Sequence, residues 1–260
     1  EETLPGIGFR GVNEAYPEST GILNPVTEPL VIAGGDLDVD VFIVQTMGAS
    51  QRTTQEAMKI KSLALAWTRQ FVKGDSLSDP RGFDGLQTRL TGSQFLWAGN
   101  TNGGDALSLS KLDALIDAVE QPTHLLMSKA MRRRLTAASR NTTVSGFLSY
   151  QKDAYGRTVT VYNDLPILIA DSDNEGNDIL GFNELASTGT TATATSIYCV
   201  SVNDGMLNGI QSDTMTARDL GELESKPVYR TRVEWFSGLT CYHGRAAARL
   251  GGIKDAPVVA

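Results

Sequence analysis

The stretch Ser50–Lys73, SQRTTQEAMKIKSLALAWTRQFVK, is the longest regular segment of the sequence, and the reading of the rest works outward from it. Ala57, Ile60, Ala64, Trp67 and Phe71 recur at steps of three and four, with Met58, Leu65 and Val72 widening the stripe. That is the spacing of one apolar helix face. Ser50 or Thr53 is placed to cap the start, Thr53 and Glu56 have capping-box spacing, and Gly74 is expected to supply a left-handed stop. A helix of this length crosses a small domain and serves as its spine. The segments on both sides of it carry mostly strand signatures.

On the N-terminal side, Asp36–Thr46 alternates, with Leu37, Val39, Val41 and Ile43 on one face against Asp36, Asp38 and Asp40 on the other. Tyr16–Pro29 is rich in turn residues, so the two segments together are expected to form a long hairpin arm, which the resemblance named below places over Leu4–Val44. A two-stranded ribbon is marginal alone in water, so such an arm must lie on its own core or on another chain. Residues 1–15 are Gly-rich and irregular. Gly6, Gly8 and Gly11 have the spacing G-x-G-x-x-G, but no strand precedes them and no helix follows, so a flexible arm is expected in place of a dinucleotide loop. The absence of an initiator methionine before Glu1 raises the expectation of a cleavage or of a further segment upstream.

On the C-terminal side, the Gly/Asp/Pro-rich connector of residues 74–85 leads to a short strand near Gln94–Ala98. Ser110 and Asp113 are expected to open a second helix that buries Leu112, Leu115, Ile116 and Val119 and ends at Gln121–Pro122. His124–Met127 has the character of a buried strand, and Ser128 is placed to cap a third helix, KAMRRRLTAASR. Two strands within Tyr155–Ala170 meet at a turn on Asn163–Asp164, and two more, Ser196–Val202 and Met206–Gln211, flank a turn at Asp204–Gly205. Ala186–Ser196, a Thr/Ala-rich run of low complexity, is expected to be a mobile loop. Val228–His243 alternates Tyr229, Thr231, Val233 and Trp235 against Arg230, Arg232 and Glu234, and Ser237–Gly238 suggests a bulge.

The 260 residues suffice for one large or two modest domains, and no apolar run approaches the roughly 18 residues of a membrane span. A formal charge of −7 does not suit a general nucleic-acid binder. Cys199 and Cys241 are too few for a disulfide framework and are expected as reduced, buried thiols. Asp171, Asp173, Glu175 and Gly176 imitate the first half of a calcium loop, but Phe182 stands where a bidentate Glu is required, so a solvated acidic turn is expected. His124, His243 and the two cysteines lack zinc-ligand spacing. No G-x-S-x-G, H-E-x-x-H or phosphate-loop motif occurs. No catalytic, cofactor-binding or metal-ligating residues are assigned, and the expectation is a protein that is not an enzyme and needs no cofactor. Arg132, Arg133 and Arg134, with Lys129 and Arg140, form the strongest basic cluster, read as a solvated or intersubunit helix face before any contact with phosphate. Asn141–Thr143 matches a glycosylation acceptor but has no secretory context.

The order of segments is an arm with GFRGVNEAYPESTG and GGDLDVDVFIV, the spine, a connector with FDGLQTRL, a mixed region, and the closing VEWFSGLTCYHGRAAARL. This order resembles the major capsid proteins of tailed double-stranded DNA bacteriophages, the Hong Kong 97 type of shell protein, over nearly the whole chain. The resemblance implies an α+β capsid fold. It further implies an N-terminal arm and extended loop hairpin over 1–46, a peripheral domain over 47–104 and 225–260 with its spine helix at 50–73, and an axial domain over 105–224. The axial part contains LSLSKLDALIDAVEQPTHLLMSKAMRRRL and VYNDLPILIADSD. By the same resemblance the chain is expected to be a major head protein of the virion. It would assemble in the host cytoplasm as hexamers and pentamers of an icosahedral shell enclosing double-stranded DNA by non-specific contact, with portal and cement or scaffolding proteins as partners and no membrane. The alternative shell reading is an encapsulin-like protein compartment, and a carboxylate hydrolase built on the Asp-rich turn is the enzyme alternative. Some members of the resembled family join a lysine of the extended loop to an asparagine of a neighbour. The first lysine here is Lys59, so the arm offers no amine for that bond, and a shell held by non-covalent contacts is expected.

Overall fold

A computed structural model of the protein describes residues 2–3, 5–23, 27–140, 147–152 and 156–259. In chain order, β1 (Glu2–Thr3) pairs antiparallel with β2 (Ile22–Leu23), and β3 (Val31–Asp40) runs into α1 (Val41–Met47) and the spine α2 (Ser50–Lys73). There follow α3 (Leu86–Arg89), β4 (Phe95–Trp97), α4 (Leu109–Asp117), β5 (His124–Met127), α5 (Lys129–Ser139), β6 (Leu148–Lys152), β7 (Thr158–Tyr162) and β8 (Leu165–Ile169). The chain closes with β9 (Glu184–Leu185), β10 (Ala192–Val200), β11 (Leu207–Gln211), β12 (Thr216–Glu222), β13 (Val228–Cys241) and β14 (Ala247–Lys254).

The larger sheet has the order β4-β14-β10-β5-β8-β7-β6, with β9 also on β10. Its strands alternate between two cores, as a period of two requires. Leu125, Met127, Ile197 and Cys199 pack with Leu112, Leu115, Ile116, Met131 and Leu135 of α4 and α5. Leu126, Tyr198 and Val200 face the opposite way and pack with Val72, Phe83 and Leu86 around the end of the spine. This second core also takes Leu207 and Leu239 from the smaller sheet, so it fastens the two sheets together. In the smaller sheet β13 is central, with β3 along one edge and β11 and β12 along the other.

Several expectations hold. Ser128 Oγ accepts from Met131 N at the start of α5, and Asn163 and Asp164, with φ of 46° and 62°, make the tight turn between β7 and β8. Others are corrected. The strand expected to reach Thr46 ends at Asp40, whose carboxylate accepts from Phe42 N and caps α1. β3 pairs along its whole length with β13 and not with residues of the turn-rich segment, because Asp36 and Asp38 lie opposite Arg232 and Arg230. Residues 24–26 of that segment, like Leu4 and Tyr155, lie outside the described residues.

The spine starts after Ala49 with no side-chain cap. Gln51 N and Arg52 N donate to the carbonyls of Gly48 and Ala49, so the incoming turn serves the first amides and Glu56 is left for another partner. Gly74 has φ of −59°, not a left-handed value; a Cβ there would stand 2.4 Å from the carbonyl oxygen of Phe83. It is glycine because two backbones touch. Ala57, Ile60 and Ala64 are exposed, and the sheet-facing side of the spine is the half-buried row Arg52, Glu56, Lys59, Leu63, Trp67 and Gln70. That row also keeps helical spacing, and the sheet partners two of its polar side chains: Thr231 Oγ1 donates to Glu56, and Arg52 donates to Thr231 Oγ1.

The second helix begins at Leu109 after Ser108, so its cap lies two residues before the expected Ser110. The Asp204–Gly205 turn does not join a hairpin, since β10 belongs to the larger sheet and β11 to the smaller. Ser237–Gly238 carries no bulge; the irregularity of this sheet falls at Asp219–Gly221 in β12. Ala192–Ser196 is not a loop but part of the central strand β10, where Ala194, Thr195 and Ser196 are fully buried. Small side chains there allow close packing between neighbouring strands, which a composition reading mistakes for disorder.

Candidate assembly surfaces

Residues 5–22 have almost no burial. Ile7, Phe9, Val12, Tyr16 and Ile22 are all exposed, Phe9 as fully as in an extended peptide. The bonds here are local: Ser19 Oγ donates to the carbonyl of Gly6 at 2.8 Å, and Gly11 N donates to the Glu14 carboxylate at 2.9 Å. Gly6, Gly8 and Gly11 therefore sit in irregular backbone with no helix after them. The base of the arm is held firmly, by a two-pronged pair between Glu28 and Arg89 whose guanidinium also donates to the Leu239 carbonyl. Five apolar side chains are thus exposed on a segment rooted in the body of the protein.

The outer face of the smaller sheet is ionic. Arg230 donates to both oxygens of Asp38, at 2.6 and 2.8 Å, and Arg232 to both of Asp36, at 2.7 and 3.1 Å. Lys226 joins Asp38 as well. The hydrogen bond from Arg232 holds the Asp36 carboxyl below the usual carboxylate range, and those from Arg230 and Lys226 hold Asp38 lower still. On the other face Arg52 reaches Asp219, again lowering the carboxylate. These ladders keep β3 on β13 in a single register.

The basic cluster on α5 is divided. Lys129 pairs with Asp171 and Arg134 with Asp255, while Arg132, Arg133 and Arg140 line a groove between α5 and the β6–β7 hairpin. The acidic turn is closed on itself: Asp173 Oδ1 accepts from Glu175 N and Asn177 N, and Arg69 stands 3.5 Å from the other oxygen. Among the described residues no three of His, Cys, Asp and Glu come together to hold a metal. His124 bonds its neighbour Thr123, His243 stands 3.6 Å from Glu120, and burial pushes the Cys199 thiol up to about 12. Asn141–Thr143 lies outside the described residues. Among the described residues no helix is long and apolar enough to cross a membrane.

Sequence reasoning missed one buried cluster. Arg249 of β14 donates to Glu184 at 3.0 Å and to Ser196, and its guanidinium lies between the rings of Phe95, 4.5 Å away, and Tyr198, 5.9 Å away. Lys73, the last residue of the spine, stands 3.6 Å from the same carboxylate. The only signal was a charged residue inside the otherwise apolar run of β14.

No family model matches the sequence, and no curated protein is similar to it. Solved structures are. The holo-SrpI encapsulin complex of Synechococcus elongatus PCC 7942 superposes with a TM-score of 0.70 at 15% identity, over 93% of this chain and 80% of that one. The capsid of an empty GTA particle gives 0.63 at 13% identity, over 97% and 84%. A structure of Mycobacterium phage Bobi gives 0.61 at 14%, over 95% and 82%. At these identities the likeness is one of fold, and it extends over nearly the whole chain.

Proposed function

From the Hong Kong 97 type capsid fold that this α+β chain shares with those particles, we propose that it is a shell-forming structural protein, the major capsid protein of a tailed phage. A fold alone does not make a function. The observation that carries the reading is the arm, whose apolar side chains are left exposed by the described residues of the chain. A neighbouring copy supplies that cover, and closed symmetry multiplies modest contacts into a stable container. In this reading residues 1–46 form the arm and extended loop, 47–104 and 225–260 the peripheral part, and 105–224 the axial part around the axes of hexamers and pentamers. β14, although in the peripheral span, hydrogen-bonds β10 and so ties that part into the larger sheet. The enclosed material is double-stranded DNA, the site of assembly is the host cytoplasm, and portal and scaffolding or cement proteins complete the virion.

A second reading is supported by the encapsulin match, a shell around protein cargo. Negative-stain microscopy of the purified chain tests both at once, since closed particles are expected and a uniform monomer would overturn the shell. The ratio of absorbance at the nucleic-acid and protein maxima in native particles then separates a genome from protein cargo.

A further inference from the structure

We propose that the groove between α5 and the β6–β7 hairpin binds the phosphate backbone of a nucleic acid. α5 turns Met131 and Leu135 into the core, which puts Arg132, Arg133, Thr136 and Arg140 on its outward side. Opposite them Tyr150 and Thr160 form a cross-strand pair, and the two walls enclose about 410 Å³. Three guanidinium groups and three hydroxyls line this one space.

The cations of the helix are not treated alike. Lys129 and Arg134 each meet an aspartate, whereas Arg132, Arg133 and Arg140 meet no carboxylate among the described residues. The Nε of Arg132 is buried and has no hydrogen-bond acceptor among the described residues. Guanidinium groups gathered without a counter-ion repel one another, and a buried donor without an acceptor is costly. An anion bearing several oxygens relieves both. Arg132 and Arg140 are eight residues apart, about 12 Å along the helix axis, so the match is to a repeating anion rather than to one small ion. The guanidinium fork suits phosphate oxygens, and the exposed ring of Tyr150 offers a face on which an unpaired base can stack. The chain's net charge of −7 works against polyanions elsewhere on the surface and so confines the contact to this groove.

The inference rests on the shell reading only for the source of the nucleic acid, because the described residues that line the groove all belong to one subunit. The test is fluorescence polarisation of the full chain with a short labelled duplex, and with one of its strands alone, over about 50 to 200 mM salt. Each phosphate contact contributes about 0.9 to the slope of log K against log salt for a duplex and about 0.7 for a single strand. The triple variant R132Q/R133Q/R140Q is expected to lose between about 2 and 3 of that slope, and R132K/R133K/R140K to keep it. If the triple variant does not fold, exposed Arg133→Gln alone should still lower the slope by about 1. Tyr150→Ala should weaken the single strand more than the duplex. An unchanged slope in the glutamine variants, no binding by the parent chain, or equal displacement by polyglutamate of similar length would overturn the proposal. Microscopy of the same preparation keeps the two readings apart. Shells that fail to bind nucleic acid reject the groove alone, and binding without shells rejects the shell alone.

Discussion

Trp67 joins the spine to the smaller sheet. Its ring stacks on Phe71 at 5.6 Å, meets Trp235 at 5.4 Å and Phe83 at 5.9 Å, and its Nε1 donates to Ser237 Oγ at 3.1 Å. Being half-buried, it should cost roughly 3 kcal/mol on truncation to alanine, the low end of the range for core aromatic residues. Trp67→Phe keeps the stacking and loses the hydrogen bond, for about 1 kcal/mol. Urea denaturation of both variants checks this, and equal midpoints for Trp67→Ala and the parent would mean the contact is idle. Asp36 and Asp38 give a pH prediction. Both carboxyls are held below their unfolded values by Arg232 and Arg230, so their contribution is present above about pH 4 and is lost as pH falls through the lower, folded values. The melting temperature should decline on acidification below that point. The decline should be shallower in Asp36→Asn/Asp38→Asn, and an identical acid limb in that variant would assign the loss to other carboxylates. Both pairs are open to solvent, so salt should also weaken them.

At the scale of elements, the arm and the body make opposite demands. Residues 5–22 contribute little to the body's packing, whereas Glu28 and Pro29 are anchored, by Arg89 and by the close approach of the Pro29 carbonyl to Gly238. Deleting residues 6–21 should therefore leave the melting temperature of the subunit within a few degrees of the parent while abolishing closed particles. Normal particles from the shortened chain would show that the arm's apolar groups are not covered by a neighbour. The spine divides in a similar way. Its polar row is spent on the sheet, and Ala57, Met58, Ile60 and Ala64 remain open on the other side.

For the whole molecule, the proposed shell is expected to hold without covalent links between subunits. Among residues 5–23 the one basic side chain is Arg10, lying 4.9 Å above the Tyr16 ring, and a guanidinium that stays protonated is a poor nucleophile. Cys199 is buried, with its thiol pushed up to about 12, so disulfide exchange through it is suppressed. Mature particles boiled in detergent with reductant should run as a single monomer band. A ladder of multiples would contradict the expectation.

The sequence alone determined what is local. The long helix, the turn at Asn163–Asp164, the Ser128 cap and the two-faced strands β3 and β13 all follow from spacing and turn chemistry within a few residues. So does the lack of a lysine in the arm, on which the prediction of a non-covalent shell depends. Tertiary structure decided whatever depends on a distant partner. Helical spacing marks two rows of the spine equally well, and the sheet chose the row with Arg52 and Glu56, whose side chains hydrogen-bond Thr231 while Arg52 pairs with Asp219. A Thr/Ala run has no pattern of its own, yet it becomes the central strand β10 once β14 and β5 close on both sides. The buried pair of Glu184 and Arg249 is 65 residues apart in the chain, and the groove on α5 needs a hairpin that begins after the helix has ended. Such pairings form only when loop closure brings the segments together, and no window of sequence contains both halves.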